Sequence, residues 1–361
     1  MIEKNDEYYR YRVSRVVSDR TGRVFRNPSR SCLIEDAVDR WMAIRVAEGT
    51  LVTWTPRDST GRSPRDTYIV RRAEVEDKID WEAPNSIPMD PETFDMLFED
   101  ALYTLGKKDR LYELPRVIGA DSQYCLPVRT VTYNALAGLF IDNMFRPVPK
   151  DVKRSCFADK PFTLLALGFD KLDPSRYRGR LRALSDGRTS TMAVAMDFDR
   201  RIGIVFGSAY MGSMKKLMFT AMNYYLPDEG ILPLHCSANE GEDGSVAMLW
   251  FMMGYTSKLA GTETDVVEPK AAFSRFFGEP FMPRNPGEYA DLLGRKMREH
   301  EADVYLLNTG WTGGPYGVGR RMDINATRAM VHAAVDGTLR SAEYRTDEVF
   351  KLQVPLRCPQ G

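Results

Sequence analysis

Apolar residues recur along this chain with two periods, and the switches between them lay out its elements. Residues 35–47 and 91–105 carry the spacing of amphipathic helices, the second with Asp90 set as an N-cap ahead of Pro91. Met214, Leu217, Met218, Ala221 and Met222 give a helix over 213–225 one buried face. Short apolar runs predict strands at 67–70, 163–167, 191–196 and 202–206, the last two joined through DFDRR as a hairpin. A buried strand is expected over 231–236 and a helix over 245–260. A charged surface helix over 287–301, a strand over 304–307, a Gly-rich loop over 309–319 and a helix over 325–335 complete the pattern. The mixture predicts an α/β fold with no internal repeat and no low-complexity linker. The turn-rich stretch Pro227–Gly230 places a boundary between domains over 1–228 and 229–361.

Composition narrows the classes without choosing one. With 361 residues, 43% of them apolar and 28% charged, the chain can bury one large core or two ordinary ones. Lys+Arg and Asp+Glu are 50 each, a balance that argues against a general nucleic-acid or anionic-membrane binder. No apolar run reaches the length of a membrane span, and the polar start MIEKNDEYYRYRVSR is unlike a signal peptide. Five widely spaced cysteines without a CxxC fit a reducing cytoplasm better than a disulfide framework or a zinc site.

Several residues stand where chemistry could be done. Arg62 lies in a polar turn, STGRSPRD, leading into a strand; such turns suit a carboxylate-binding Arg, although on spacing alone a structural ion pair is the commoner role. Tyr210, Lys215 and Lys216 fall in GSAYMGSMKKLMF, at a strand-to-helix turn whose helix N-terminus favours anions; a solvated Lys pair is the plainer reading. His235 follows an apolar run and reads first as a satisfied core histidine. Trp250, Phe251, Met252 and Met253 form an apolar, Met-rich stretch, read as adaptable core, as a cap over apolar surface or as a homodimer contact.

These motifs, with LPLHCSANEGEDG running directly into SVAMLWFMMGYTSKLAGTE, resemble the ATP-dependent phosphoenolpyruvate carboxykinases from about Leu51 to Cys358. In that family the two halves flanking Gly244–Ser245 are separated by a long segment carrying the phosphate-binding loop and an acidic metal-binding pair. No G-x-x-x-x-G-K-[ST] occurs in this sequence, and with it goes the backbone nest that cradles nucleotide phosphates. The resemblance implies a carboxykinase-like N-terminal α/β domain packed on a truncated remnant of the nucleotide-binding domain. It implies that Arg62 holds the carboxylate of oxaloacetate or phosphoenolpyruvate, that Tyr210 packs on the substrate, and that Lys216 and His235 are manganese ligands.

Departures from the family pattern leave alternatives open. Ser213 stands where the family has Glu, so a neutral group replaces a carboxylate beside the lysines. The metal-binding Asp and a second substrate Arg belong to the absent segment. Glu240, Glu242 and Asp243 stand near His235 in sequence, as replacements or simply as an acidic surface turn, so retention and loss of Mn²⁺ both stay open. Arg321 and Thr327 match nucleotide-contacting positions; without the phosphate nest they read as a structural remnant, and ATP is not an expected ligand.

The expectation is a carbon–carbon lyase acting on oxaloacetate or a related 2-oxo acid, one carrying a phosphonate included, without phosphoryl transfer. Arg62 and Tyr210 would bind substrate, Lys216 and His235 would polarise its carbonyl, and Lys215 or water would return a proton. The alternative is a catalytically silent homologue that binds a metabolite or a partner chain.

Overall fold

The computed structural model describes residues 4–18, 22–56, 59, 61–250, 253–258, 270–275, 278–314 and 317–357. An eight-stranded mixed sheet organises the larger part of the chain. Its strands are β1 (Val24–Arg26), β2 (Thr67–Val70), β3 (Ile87–Met89), β4 (Leu111–Ile118), β5 (Leu126–Thr132), β6 (Phe162–Leu167), β7 (Ala193–Asp197) and β8 (Ile202–Phe206), in the spatial order β1-β4-β5-β6-β8-β7-β2-β3. The β4/β5 and β7/β8 pairs are antiparallel, the latter the expected hairpin, and the remaining neighbours run parallel.

The pleat sorts alternate side chains to two faces, and helices cover both. Ile69, Leu164, Ala166, Val194 and Val205 point to a core shared with α2 (Arg30–Asp39), α4 (Ala135–Met144) and α5 (Gly212–Tyr225). Tyr68, Val70, Leu165, Leu167 and Ile204 point the other way, into a core with α1 (Asp6–Ser18) and α3 (Pro91–Lys107). Such double coverage is why β6, β7 and β8 read as continuous apolar runs, with every residue of the three buried. Asp90 caps α3 as expected, its Oδ1 accepting from Thr93 N at 2.8 Å with Pro91 in the first turn.

Four sequence expectations are corrected. The helix over 35–47 is α2, which begins earlier and stops at Asp39. Trp41 enters the left-handed region at φ 55, while Trp41 and Met42 donate back to Val38 O and Ala37 O, closing the helix end. Ile44–Arg45 then pairs with Leu51–Val52 as a short ladder. The strand over 231–236 is extended chain without a ladder up to His235, and Cys236–Glu240 pairs instead with Val246–Trp250. The helix over 245–260 is absent: Val246–Trp250 and Met253–Lys258 are strands, the second antiparallel to Lys270–Arg275. A continuous apolar run carries no period to separate strand from helix, and β-formers such as Val246, Tyr255 and Thr256 decide for the strand. Residues 251–252 and 259–260 lie outside those described. The strand over 304–307 has no ladder either, and Val304 and Leu306 are exposed.

The helices expected over 287–301 and 325–335 are α6 (Pro286–Glu299) and α7 (Ile324–Val335). Among the described residues no helix is long and apolar enough to cross a membrane. The chain separates into two compact units. One comprises Met1–His235 with Trp250–Leu293 and contains the large sheet; the other comprises Cys236–Leu249 with Gly294–Gly361.

Candidate functional site

The site lies where β8 turns into α5, beyond the C-terminal ends of the parallel pair β6 and β8, the side on which open α/β sheets bind ligands. Gly207 makes the turn possible. Its φ is +79, and a Cβ there would lie 2.6 Å from Thr191 O. Gly168, at the end of β6, lets the turn come close, since a Cβ on it would sit 2.5 Å from Ser208 O. Tyr210 O and Met211 O accept from Ser213 N and Met214 N at 2.9 and 3.1 Å, starting the helix. Lys215 and Lys216 therefore project from the N-terminal end of α5, where the helix dipole is positive.

Ser213 is buried and shares a 2.8 Å hydrogen bond with Ser208 Oγ. The neutral group expected beside the lysines is thus one half of a hydroxyl pair. Half-buried Tyr210 folds its ring against Gly212, where a Cβ would collide with it.

Arg62 reaches the same corner from the turn ahead of β2. Asp66, buried in that turn, takes a bidentate pair from Arg182 at 2.9 and 2.6 Å, and Thr67 Oγ1 donates to Ser63 O at 2.9 Å. Ser59 Oγ accepts from Ala209 N at 3.3 Å, tying this turn to the one that begins α5. The guanidinium of exposed Arg62 lies 5.2 Å from the Phe281 ring centroid.

His235 comes to the corner along the extended segment that follows α5. Ile231 N donates to Leu226 O at 3.1 Å and its side chain packs on the core, which turns the segment back along the helix. His235 Nε2 then lies 3.1 Å from Lys216 Nζ. The structure thus brings Arg62, Lys215, Lys216 and His235 to one place.

Two phenylalanines that the sequence did not single out line it. Phe219, one turn along α5, lies 5.2 and 5.3 Å from the Lys215 and Lys216 ammonium nitrogens and 5.6 Å from the His235 ring. Phe281, from the turn Glu279–Phe281, lies 4.2 Å from Lys216 Nζ and 5.9 Å from Phe219. Phe219 was legible as a neighbour of the Lys pair at helical spacing. Phe281 had no signal of its own, since only the fold brings residues 216 and 281 together.

Burial and like charge set the titration of the corner. Desolvation, with Lys215 and Arg62 nearby, pushes Lys216 down to about 7. Desolvation lowers Lys215 as well. Desolvation again, followed by Lys216, Lys215 and Arg62, pushes His235 down to about 4. His235 is therefore neutral near pH 7, and Lys216 titrates near that value. The charges acting on Lys216 are all positive, so the corner holds an excess of cationic groups suited to an anion.

A neutral amine and a neutral imidazole 3.1 Å apart are also two nitrogen donors for one transition-metal ion. Among the described residues no group of three His, Cys, Asp or Glu is placed to hold a metal. To a manganese site the pair would supply two nitrogens and no carboxylate, so the oxygen ligands such an ion favours would have to come from elsewhere. Asp243 is engaged locally, its Oδ1 accepting from Ser245 N and Oγ at 3.0 and 2.7 Å.

Glu240, Glu242, Arg321 and Thr327 belong to the second unit. There Arg320–Arg321 pairs with Trp311–Thr312, the Arg321 guanidinium lies 5.9 Å from the Trp311 ring, and Thr327 N donates to Asp323 O in the first turn of α7.

The phosphoenolpyruvate carboxykinase family profile matches residues 22–249 and 243–361, two stretches that meet across the Gly244–Ser245 junction. A Geobacillus kaustophilus protein named phosphoenolpyruvate carboxykinase (ATP) is 32% identical over 452 aligned positions, covering 87% of this chain and 83% of its own. One of that name from Moorella thermoacetica is 31% identical over 474 positions, covering 94% of this chain and 87% of its own, and one from Salinibacter ruber is 33% identical over 473, covering 92% and 85%. Each aligned span exceeds the 361 residues of this chain, so these relatives carry residues with no counterpart in it.

Proposed function

This chain belongs to the phosphoenolpyruvate carboxykinase family, and from that premise we propose that it binds a small 2-oxo dicarboxylate such as oxaloacetate and decarboxylates it without phosphoryl transfer. The observation that carries the reading is the convergence of Arg62, Lys215, Lys216 and His235 on one corner. The missing G-x-x-x-x-G-K-[ST] motif supports the second half, because transfer relies on such a loop to hold the phosphates.

Decarboxylation of a 3-carboxy-2-oxo acid breaks the C3–C4 bond. Carbon dioxide leaves, the bonding pair moves into an enolate, and the developing negative charge falls on the C2 oxygen. Arg62 orients a carboxylate and Tyr210 packs against the substrate. The ammonium of Lys216 faces the carbonyl oxygen as charge develops. A divalent cation held by Lys216 Nζ and His235 Nε2 would supply Lewis-acid polarisation at the same place. With no phosphoryl group to capture it, the enolate takes a proton at C3 from Lys215 or water and becomes pyruvate.

The test is ¹³C NMR of oxaloacetate turnover without nucleotide, with and without Mn²⁺. Faster pyruvate formation than in buffer with the same metal, lost in Lys216→Met, supports the reading. A protein that binds oxaloacetate without accelerating its decay is the second reading, a metabolite-binding homologue. The direct Lys216–His235 contact favours that one, because it engages the two donors with each other.

A further inference from the structure

We infer that Phe281 is a positioning residue of this corner, its ring holding Arg62 and Lys216 side by side so that one carboxylate dianion can engage both. The inference rests on the proposed anion-binding reading and names a part of it that neither motif nor spacing marks. Two like charges in a half-buried corner repel, and each would relax toward water if nothing opposed it. The Phe281 ring meets both, at 5.2 Å from the Arg62 guanidinium and 4.2 Å from Lys216 Nζ, and the negative face of an aromatic ring attracts cations.

The ring is itself fixed. Phe281 is 8% exposed and packs on Phe219. The chain that follows it is tied down at three points. Pro283 O accepts from Asp80 N at 2.8 Å, Arg284 Nε donates to Tyr224 O at 2.8 Å, and Tyr289 OH donates to Asn223 O at 2.9 Å. Arg284, 4% exposed, also pairs with Asp228 and Glu288 at 2.7 and 3.2 Å. A segment anchored on the far end of α5 thus delivers a rigid ring to its first turn. Arg62, itself exposed, has in that ring a fixed partner at the site.

The experiment compares wild type with Phe281→Leu and Phe281→Met, which keep apolar volume and lose the ring, and with Phe281→Tyr, which keeps it. Thermal unfolding of each variant establishes that it folds. Two readouts are taken: oxalate affinity by calorimetry, and the ¹H–¹³C shifts of Lys216 in ¹³C-lysine protein, assigned with Lys216→Arg. An upfield ring-current shift at the Lys216 ε-methylene is expected, reduced to the share due to Phe219 in the Leu and Met variants and kept in Tyr. A loss of about tenfold in oxalate affinity should follow the same pattern. Leu and Met variants that bind oxalate as wild type does, or a Lys216 signal unaffected by the ring, overturn the inference. If wild type takes up no oxalate, the anion reading falls by itself, and the positioning role stands or falls on the Lys216 signal.

Discussion

At the scale of single residues the corner is governed by a conflict between burial and charge. Lys216 is pushed down to about 7, because desolvation and two neighbouring cations oppose its charge. The sign of the pH dependence follows. Below about pH 7 Lys216 is an ammonium and the corner is at its most positive. As pH rises through that value the charge is lost, so oxalate affinity measured by calorimetry should fall. Affinity for Mn²⁺ should move the opposite way, since an amine coordinates only when deprotonated. Arg62→Ala should weaken oxalate binding by about 1.5–3 kcal/mol, the usual worth of a hydrogen bond to a charged group. Equal affinity in mutant and wild type would take Arg62 out of the site.

At the scale of elements α5 is the part on which the rest depends. Its inner face, from Met214 to Met222, is buried in the sheet core, its first turn carries the lysines, and its last turn receives Arg284. Asp228 joins that end to the Phe281 segment. Burial works to raise its pKa, but hydrogen bonds from Arg284 and Lys78 outweigh this and hold it below the ordinary carboxylate value. A carboxyl lowered in the folded state adds stability above its unfolded pKa and loses it as pH falls through the folded value. Asp228→Asn should therefore lower stability by about 1–3 kcal/mol near neutral pH, the cost of leaving a buried polar group short of a partner. The mutant should also show a shallower loss below about pH 4. Urea unfolding at several pH values checks both. A mutant as stable as wild type at pH 7 would mean that Glu288 and Tyr224 suffice to hold Arg284.

At the scale of the whole molecule the two units differ in kind. The first holds both large cores, while among the described residues of the second the buried apolar side chains are Ala333 and Leu339. Val246, Met248, Val304, Leu306 and Ile324 of that unit are more than half exposed. The family profile matches in two stretches that overlap at residues 243–249. As the sequence has no G-x-x-x-x-G-K-[ST], ATP should give no rise in unfolding temperature at millimolar concentration, whereas a ligand that binds the folded state must raise it. A coupled assay should likewise find no phosphoenolpyruvate formed from oxaloacetate and ATP above a control without protein. Formation above that control would show that phosphoryl transfer survives by other means.

What the sequence determined by itself was whatever depends on local chemistry and near neighbours. The cap of α3 is set by Asp90 and Pro91, the buried face of α5 by the spacing of its methionines, and β6, β7 and β8 by unbroken apolar runs. The motifs around Arg62, Lys215, Lys216 and His235 identified the family. Tertiary structure decided the rest, where several local outcomes were close in energy. Residues 40–47 continue the apolar pattern of α2, yet the left-handed turn at Trp41 ends the helix. The apolar stretch after Ser245 could be helix or strand, and pairing makes it strand. Most of all, the contact of Lys216 with His235, the depressed titration of both and the ring of Phe281 beneath Arg62 arise from segments far apart in the chain. Burial and mutual repulsion exist only once folding has put them together.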